Sequence, residues 1–185
     1  IDFMMSTSNK CIQGMAGVAF IICKKKILEK IKYFKARNYY LDLYAQYEYL
    51  EKNNQTRFTP PVQIMYALKE AIKEFFEEGS ENRFKRYREN YRILKDGLKK
   101  VGFKFLMNED VEESQILTTI YYLDHPHFDF NVLHDKLYEK GFTIYPGKIS
   151  DLDTFRIAVM GAINPDDIKN FLKALEKTLK EMKIK

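Results

Sequence analysis

The sequence has little of what marks secreted or membrane-spanning proteins. Among its 185 residues there are only two cysteines, Cys11 and Cys23, too few for a disulfide framework. Its apolar runs, such as residues 18–23, are far shorter than the roughly 20 residues that cross a bilayer. The first five residues include an acid and no base, unlike a signal peptide. The sequence therefore predicts a cytoplasmic protein with two free thiols and no contact with membranes.

The overall composition is that of an ordinary globular protein. Hydrophobic residues make up 45% of the chain and charged residues 31%. The net charge of +5 is of the sign that nucleic-acid-binding proteins carry. The lysines, however, alternate with glutamates in helical patterns, and residues 24–26 are their only run of three. The sequence has neither zinc-finger spacing nor an aromatic RNA-binding motif, so we expect no nucleic-acid partner.

The first part of the chain predicts two buried strands joined by a polar loop. The strands cover residues 1–6 and 18–23, and a helix over residues 24–35 follows, with Phe34 on its buried face. The tyrosines from Tyr33 to Tyr49 suit either an interface or packing in the core. Thr59-Pro60-Pro61 then predicts the start of a helix, with Thr59 as its cap and proline at the first helical position.

The second part predicts helices packed on a small, mostly antiparallel sheet, an α+β arrangement. After the helix that Gly79 ends, a helix over residues 81–101 is expected to bury Phe84. Strand-like runs follow at residues 103–106, 116–123, 142–145 and 155–160, with a helix over residues 131–140. Asn164-Pro165 opens the last helix as a cap followed by proline. We place a domain boundary near Thr59, which divides the chain into residues 1–58 and 59–185.

Lys10 is the most informative candidate for chemistry. It lies in the polar loop between the two strands, where partial desolvation would make its amine a better nucleophile. The hydroxyl and amide groups of Thr7, Ser8 and Asn9 beside it suit an anion such as a phosphate. The alternative is an ordinary surface lysine in a turn. The residues alone leave both interpretations open.

Two further residues have a functional and a structural interpretation. Thr59 stands at a helix N-terminus, which is a ready anion site, but it is equally a plain helix cap. Arg156 offers a planar fork that pairs bidentately with a carboxylate or phosphonate. Its alternative is a structural ion pair with Asp151 or Asp153.

No metal site is expected. His125 and His127 lie close together with Asp129, but Pro126 between the histidines favours a turn. A second cluster of ligands, which a structural or catalytic metal would need, does not occur in the sequence.

Three segments, in order along the chain, resemble one family. They are Ser8-Asn9-Lys10-Cys11-Ile12-Gln13-Gly14 with Gly17, then Arg57-Phe58-Thr59-Pro60-Pro61, and Ile144-Tyr145-Pro146-Gly147-Lys148 with Phe155-Arg156-Ile157. The chain is similar in them to the 2-aminoethylphosphonate–pyruvate transaminases, which are class V, fold-type I aminotransferases that use pyridoxal 5'-phosphate (PLP). The resemblance implies that residues 1–58 end a large PLP-binding α/β domain and that residues 59–185 form the small C-terminal domain.

The resemblance also implies roles for individual residues. Lys10 would form the covalent bond with PLP and move a proton between the substrate and the cofactor. Thr7, Ser8 and Asn9 would lie beside the cofactor, and Thr59 would reach the PLP phosphate of the neighbouring subunit in a homodimer. Arg156 would bind the acidic groups of 2-aminoethylphosphonate and pyruvate in turn, and the products would be phosphonoacetaldehyde and L-alanine.

The sequence departs from the family pattern in ways that keep alternatives open. Ala16 stands where the family usually has proline, and Ala158-Val159-Met160-Gly161 replaces a Gly-Asn-Ile-Gly run close to Arg156. Alanine–glyoxylate or serine–pyruvate transamination is therefore an alternative, and a non-catalytic dimerisation module is another.

The beginning of the chain suggests that part of a longer protein is absent. The sequence lacks an initiator methionine, and Lys10 comes almost at its start. The family's Gly-rich turn, its ring-stacking aromatic residue and its aspartate for the pyridinium nitrogen all precede that lysine, and an electron sink needs the aspartate. We expect the chain to be a C-terminal segment that does not turn over alone.

Overall fold

The computed structural model describes residues 1–107, 114–147 and 151–184. The chain forms two compact units, Ile1–Glu77 and Glu78–Lys185. The division between them lies later than the boundary placed near Thr59, because the helix that follows Thr59 belongs to the first unit. The domain ranges 1–58 and 59–185 stay a prediction for the parent protein. None of the helices in the described ranges is long and apolar enough to cross a membrane.

The first unit opens with an antiparallel hairpin-like pair of strands. Strand β1 (Phe3–Thr7) pairs with β2 (Ala19–Cys23), in a register that runs from Phe3 opposite Cys23 to Thr7 opposite Ala19. Both strands were predicted, but their burial was not as expected. Most of their side chains are exposed, because in the described chain this sheet has only two strands. Cys11 and Cys23 are not joined in a disulfide, as predicted.

Two helices of the first unit differ from the sequence prediction. Helix α1 (Lys25–Ile31) ends four residues early, so that Phe34 lies beyond it and is 75% exposed. Helix α2 (Leu43–Asn53) was not predicted. Asp42 caps it by accepting a hydrogen bond from the backbone N–H of Ala45 at 3.0 Å. None of its residues is buried. Leu43, Tyr47 and Leu50 do recur at helical spacing in the sequence, but the tyrosines among them also suit a strand.

The helix after the two prolines begins later than predicted. Helix α3 (Val62–Glu78) starts at Val62, and the carbonyl of Pro61 accepts the first intrahelical bond from Met65 at 3.0 Å. Thr59 is therefore not the cap that the sequence predicted. The reason is that a residue before proline is forced into extended conformations, so Pro60 cannot be the first helical residue when Pro61 follows it.

The second unit contains the remaining elements. In chain order they are α4 (Ser80–Val101), β3 (Leu117–Tyr121), α5 (Phe130–Tyr138), β4 (Tyr145–Pro146), β5 (Thr154–Ala158) and α6 (Pro165–Glu181). The three strands form an antiparallel sheet in the order β3-β5-β4, which confirms the predicted α+β arrangement. The strand predicted over residues 103–106 is reduced to a single bridge between Phe105 and Ile120.

The helix ends of the second unit follow the sequence signals closely. Asn164 forms a capping box with Asp167 at the start of α6, and Pro165 is the first residue of that helix. Asp129 caps α5 by accepting a hydrogen bond from Val132 at 3.0 Å. Gly102 ends α4 with a φ of 99°, a conformation that glycine adopts without steric cost.

The core of the second unit lies between its sheet and its helices. Helices α4, α5 and α6 each contribute a fully buried leucine, and β3 and β5 contribute Ile120 and Phe155. One expectation about α4 is wrong: Phe84 is 59% exposed, and Arg83 and Asn90 are buried instead. Both are buried because they have hydrogen-bond partners: Arg83 binds Glu78, and Asn90 binds the carbonyl of Ile163.

Candidate functional site

Ser8 anchors the loop that carries Lys10. Its backbone N–H donates to the carbonyl of Val18 at 3.0 Å and so continues the β1–β2 pairing by one residue. Its side chain is fully buried, and the hydroxyl lies within hydrogen-bond distance of the carbonyls of Met15 (2.5 Å) and Val18 (3.2 Å). A serine hydroxyl has one proton to donate. That proton therefore holds the two ends of the loop together, and any cofactor contact made by Ser8 uses its lone pairs.

Gly14 lets the same loop pack closely on α3. Its N–H donates to the carbonyl of Ser8 at 2.8 Å. A Cβ at this position would lie 2.9 Å from that carbonyl oxygen and 3.6 Å from atoms of Leu68 and Ala71. These two residues are the buried side chains of α3. The glycine is thus required by a close backbone approach, which explains its place in the lysine segment.

Lys10 itself lies on an exposed turn of the loop. Its carbonyl accepts a hydrogen bond from Gln13 N–H at 2.8 Å, and Gln13 has a φ of 67°. The side chain of Lys10 is exposed, so the expected partial desolvation is wrong for the chain as described, because the turn directs it outward. Thr7 is likewise exposed, and Asn9 is half-buried. The structure therefore brings residues 7–10 together on one loop, with Ser8 inside and the others outside.

Thr59 lies on the wall of a cavity in the first unit. It lines an open cavity of about 850 Å³ whose walls come from β2, α2, α3 and the segment before α3. The residues that line this cavity include Ile12 and Gly17 of the lysine loop but none of residues 7–10. Thr59 thus shares this cavity with the far part of the lysine loop and not with residues 7–10.

An aromatic cluster fixes the segment that carries Thr59. The guanidinium of Arg57 lies 4.5 Å from the ring centre of Tyr39 and 5.2 Å from that of Phe58. Its Nη1 donates to the carbonyl of Tyr39 at 3.1 Å. Tyr40 packs on Phe58 with ring centres 4.9 Å apart. This role of Arg57 was not predicted: Phe58 is its neighbour in the sequence, but Tyr39 lies 18 residues earlier.

The exposure of the tyrosines removes one of their two predicted explanations. Tyr39 is 75% exposed and Tyr40 is 61% exposed, and α2 buries none of its tyrosines. Packing in the core is therefore wrong for these residues in the described chain. Their role in an interface stays a prediction.

Arg156 lies in the middle of β5. Its neighbours Phe155 and Ile157 point into the core, so that the alternation of the strand directs Arg156 to the opposite face. In the register of the sheet it stands opposite Thr119 on one side and Tyr145 on the other. Its Nε donates to the carbonyl of Pro146 at 3.1 Å.

The structural alternative for Arg156 is not realised. Within the described ranges, no carboxylate lies at salt-bridge distance from its guanidinium, and neither Asp151 nor Asp153 pairs with it. The side chain is half-buried beside the Tyr145-Pro146-Gly147 segment. Lys148, the last residue of that motif, lies outside the described residues. Arg156 therefore presents a cation that no acid of the described chain neutralises.

A polar network holds the segment that follows β5. Arg86 donates to both carboxylate oxygens of Glu78 and, through Nη1, to the carbonyls of Gly161 (2.8 Å) and Ile163 (2.9 Å). The buried Asn90 donates to the same Ile163 carbonyl at 3.0 Å, and Arg83 binds Glu78 at 2.6 Å. The hydrogen bonds from Arg86, followed by those from Arg83, hold the pKa of Glu78 below its ordinary value despite partial burial.

This network was missed in the sequence. Arg83 and Asn90 occupy the same helical face as Tyr87 and Leu94, which was the available signal. A polar residue on the apolar face of a helix is normally predicted to be exposed, unless the hydrogen-bond partner that would allow its burial is known. Here the partner carbonyls are more than 70 residues away along the chain.

His125 and His127 lie in a turn, and His134 lies on α5. The backbone N–H of His127 donates to Nδ1 of His125 at 3.2 Å, and His134 pairs with Asp135 on α5. In the part of the chain that the structure describes, no three His, Cys, Asp or Glu side chains are grouped to hold a metal ion.

The fold and these segments define a class of protein. The family model of class V aminotransferases matches residues 1–148. The chain belongs to this family, whose cofactor is PLP.

Within the class, the curated relatives point to one branch. The chain is 43% identical over 179 residues to a bifunctional phosphonoacetaldehyde hydrolase/aminoethylphosphonate transaminase of Clostridioides difficile, a match that covers 96% of this chain and 28% of the relative. It is 41% identical to the 2-aminoethylphosphonate–pyruvate transaminase of Lysinibacillus sphaericus, with coverage of 95% and 48%. The resemblance noted in the sequence is thus confirmed. The chain spans about half the length of most of the curated relatives it matches, or less.

Solved structures agree on the fold. The alanine–glyoxylate aminotransferase of Nostoc sp. superposes with a TM-score of 0.85 at 23% identity, over 97% of this chain and 48% of that one. The pyridoxamine–pyruvate aminotransferase of Mesorhizobium loti gives 0.87 at 21% identity, over 100% and 48%. At this level of identity the likeness establishes the fold alone, and it confirms the predicted fold-type I assignment.

Proposed function

We propose that the chain is the C-terminal segment of a transaminase that moves the amino group of 2-aminoethylphosphonate to pyruvate. The products are phosphonoacetaldehyde and L-alanine. The observation that carries the proposal is Arg156, a half-buried guanidinium without a carboxylate partner among the described residues, in the segment that matches the family's substrate arginine. The identity to transaminases of this branch supports the choice of donor.

The residues of the lysine loop fit a PLP site. Lys10 offers an exposed amine on a loop whose backbone Ser8 and Gly14 hold in place, as a covalent anchor for an aldehyde requires. When bound, PLP supplies the electron sink of the reaction. Nζ of Lys10 would hold the cofactor and, once released, carry a proton to and from the substrate carbon. Thr7 and Asn9 lie beside it with polar side chains free to face the cofactor, and Ser8 contributes mainly by fixing the loop.

Arg156 serves as the acid-binding residue of both half-reactions. Phosphonate and carboxylate are both anions with two oxygens that match the planar guanidinium fork. One arginine can therefore bind 2-aminoethylphosphonate first and pyruvate afterwards. The strand holds this side chain in a fixed place, since Phe155 and Ile157 on either side of it are locked in the core.

Thr59 would act in a second subunit of a cytoplasmic homodimer. It lies on the wall of a cavity that contains none of residues 7–10, which favours a role at a site other than that of its own chain's lysine. Because Thr59 does not cap α3, its hydroxyl is available for a phosphate. The exposed tyrosines near Tyr39 supply apolar area suited to such an interface.

A second candidate is another class V reaction with a carboxylate amino donor. It is favoured by one observation: residues 158–161, which begin with the last residue of the strand of Arg156, depart from the family pattern. Turnover of L-alanine or L-serine with glyoxylate or pyruvate, and none of 2-aminoethylphosphonate, by the parent protein would establish this alternative in place of the first.

The test begins with the covalent bond to the cofactor. The parent protein, rather than this segment alone, is incubated with PLP, reduced with borohydride and analysed by intact mass and peptide mapping. We expect a single pyridoxyl adduct at Lys10, its loss in Lys10→Arg, and its retention in Lys24→Arg, a matched change at a lysine that pairs with Asp2. Adducts spread evenly over the surface lysines would contradict a specific role for Lys10. Assay of the parent protein with 2-aminoethylphosphonate then tests the substrate.

A further inference from the structure

The hydrogen bond between Arg156 and Pro146 restricts how an acid can bind. A guanidinium has two edges that pair bidentately with an anion: one formed by Nη1 and Nη2, and one formed by Nε and a terminal nitrogen. In Arg156 the Nε proton is donated to the Pro146 carbonyl at 3.1 Å. The edge that remains open is the one formed by Nη1 and Nη2.

We propose that Pro146 and Gly147 are positioning residues which hold Arg156 so that it receives its acidic substrate end-on, through Nη1 and Nη2. The inference rests on the proposed function for the identity of the ligand as an acid. It adds two residues to the substrate site that do not themselves touch the substrate. It also fixes the orientation of the acid, which then lies along the axis of the arginine side chain.

The position of the Pro146 carbonyl is set by the sheet. Strand β4 is one of the two edge strands and has only two residues, with Tyr145 opposite Arg156 and Pro146 opposite the fully buried Phe155. Proline has no N–H to donate to a ladder, and an edge strand is the place where this is tolerated. The Pro146 carbonyl shares a rigid peptide plane with the N–H of Gly147, so the bond that this N–H donates to Thr154 also fixes the direction of the carbonyl.

Gly147 is what allows β4 to come so close to β5. Its N–H donates to the carbonyl of Thr154 at 2.8 Å. A Cβ on residue 147 would lie 2.6 Å from that same oxygen and would also collide with the Thr154 hydroxyl. Thr154 is 2% exposed and cannot move aside without disturbing the core. Any side chain at position 147 must therefore push β4 away and weaken the bond that orients Arg156.

The first part of the test observes the bond directly. In ¹⁵N-labelled chain, the Nε–H of Arg156 is assigned by its loss in Arg156→Lys, and its exchange with solvent is measured by NMR. We expect the Nε–H of Arg156 to exchange about fivefold faster in Gly147→Ala, because one protein hydrogen bond contributes about that factor to protection. Gly141→Ala is the control for backbone strain: at a φ of 86° an alanine strains the chain of the same unit, but the open space around Gly141 means that it pushes on no neighbouring atom. Equal exchange in wild type and Gly147→Ala would overturn the positioning role.

The second part uses methylphosphonate as the acid and needs no variant, so it decides even if Gly147→Ala fails to fold. We expect its addition to shift the Nη resonances of Arg156 while the exchange of Nε–H changes less than about twofold. A shift of Nε with loss of its protection would mean that the acid displaces Pro146, which overturns the end-on mode alone. No response at Arg156 would overturn the acid-binding role in the proposed function, and the end-on mode with it.

Discussion

The two units of the chain differ sharply in how much of their apolar surface is buried. Of the twenty buried hydrophobic residues in the described chain, only Leu28, Leu68 and Ala71 belong to the first unit. The second unit has a continuous core between its sheet and three helices. The first has a two-stranded sheet with Ile22 at 60% exposure and a helix, α3, with Phe76 at 76% exposure. The second unit therefore has what independent folding requires, whereas the first leaves surface that needs a cover.

The difference separates the two candidate catalytic residues. Lys10 belongs to the first unit, called the open unit here because its apolar residues are largely exposed. Arg156 belongs to the second, closed unit, which has a continuous core. Regions with few buried apolar contacts open locally at low free energy, while core strands open only with global unfolding. We infer that Arg156 is held in place by the core of its own unit. The lysine loop lies in the unit whose apolar residues are largely exposed, in a chain that spans about half the length of this relative.

The largest expected effect is the loss of a core side chain in the closed unit. Phe155 is fully buried and contacts the aromatic rings of Phe103 and Phe130 with centres 5.5 and 5.9 Å away. Phe155→Ala should lower the free energy of unfolding of the second unit by about 3–5 kcal/mol, through lost transfer energy and a residual cavity. Hydrogen exchange followed by mass spectrometry, with peptides from each unit, measures it.

A matched change in the open unit is the control. Ile22→Ala removes an apolar side chain that is 60% exposed on β2 and should cost less than about 0.5 kcal/mol. A large loss of protection in Ile22→Ala would show that this face is covered in solution, for instance by a second copy of the chain. The contrast between the two units would then be one of assembly rather than of folding.

The sequence predicted the closed unit better than the open one, for a physical reason. Helix α6 has a capping box, proline at its start and a single buried stripe, so every local signal agrees with its tertiary environment. Helix α2 has no buried residue, and its apolar spacing at Leu43, Tyr47 and Leu50 is obscured by further tyrosines, which are equally typical of strands. The burial of β1 and β2 was overestimated because apolar residues were taken as evidence of cover that the described chain lacks.

Polar burial was the other limit of prediction. Asn90 is fully buried on α4, and its amide binds the carbonyl of Ile163 near the start of α6. Nothing in the local sequence identifies a partner so distant. The candidate site likewise has a part that the sequence could predict and a part that it could not. Lys10 and Arg156 were found through short motifs, whereas the carbonyl of Pro146 that holds Arg156 follows only from the pairing of β4 with β5.

An intermediate effect is expected from the network at the start of the closed unit. Hydrogen bonds from Arg86 and Arg83 keep the pKa of Glu78 below its ordinary value of 4.5. A carboxyl whose pKa is lower in the folded state stabilises fully above the unfolded pKa and loses this contribution as the pH falls through the folded value. Glu78→Gln should therefore cost about 2 kcal/mol at pH 7 and progressively less below about pH 4.

Urea unfolding of wild type and variant between pH 7 and pH 3 measures this difference. Glu77→Gln is the control, since Glu77 is the adjacent acid, is exposed and pairs only distantly with Lys73 at 3.9 Å. Its unfolding free energy should follow that of the wild type across the range. If Glu78→Gln and wild type instead differ by a constant amount at every pH, then the contribution of Glu78 is one of packing and not of charge.

The smallest effect compares two residues that the sequence predicted as caps. Asn164 caps α6 through the N–H groups of Asp166 and Asp167, so Asn164→Ala should cost about 1 kcal/mol. Thr59 lies before the two prolines and outside α3, so Thr59→Ala should change stability by less than about 0.5 kcal/mol. The effect of each substitution is measured by hydrogen exchange, in α3 for Thr59→Ala and in α6 for Asn164→Ala. If Thr59→Ala loosens α3 as much as Asn164→Ala loosens α6, then the Thr59 hydroxyl is engaged in the fold. Its proposed availability to a phosphate in a neighbouring subunit would then lose its structural support, because a hydroxyl has only one proton to donate.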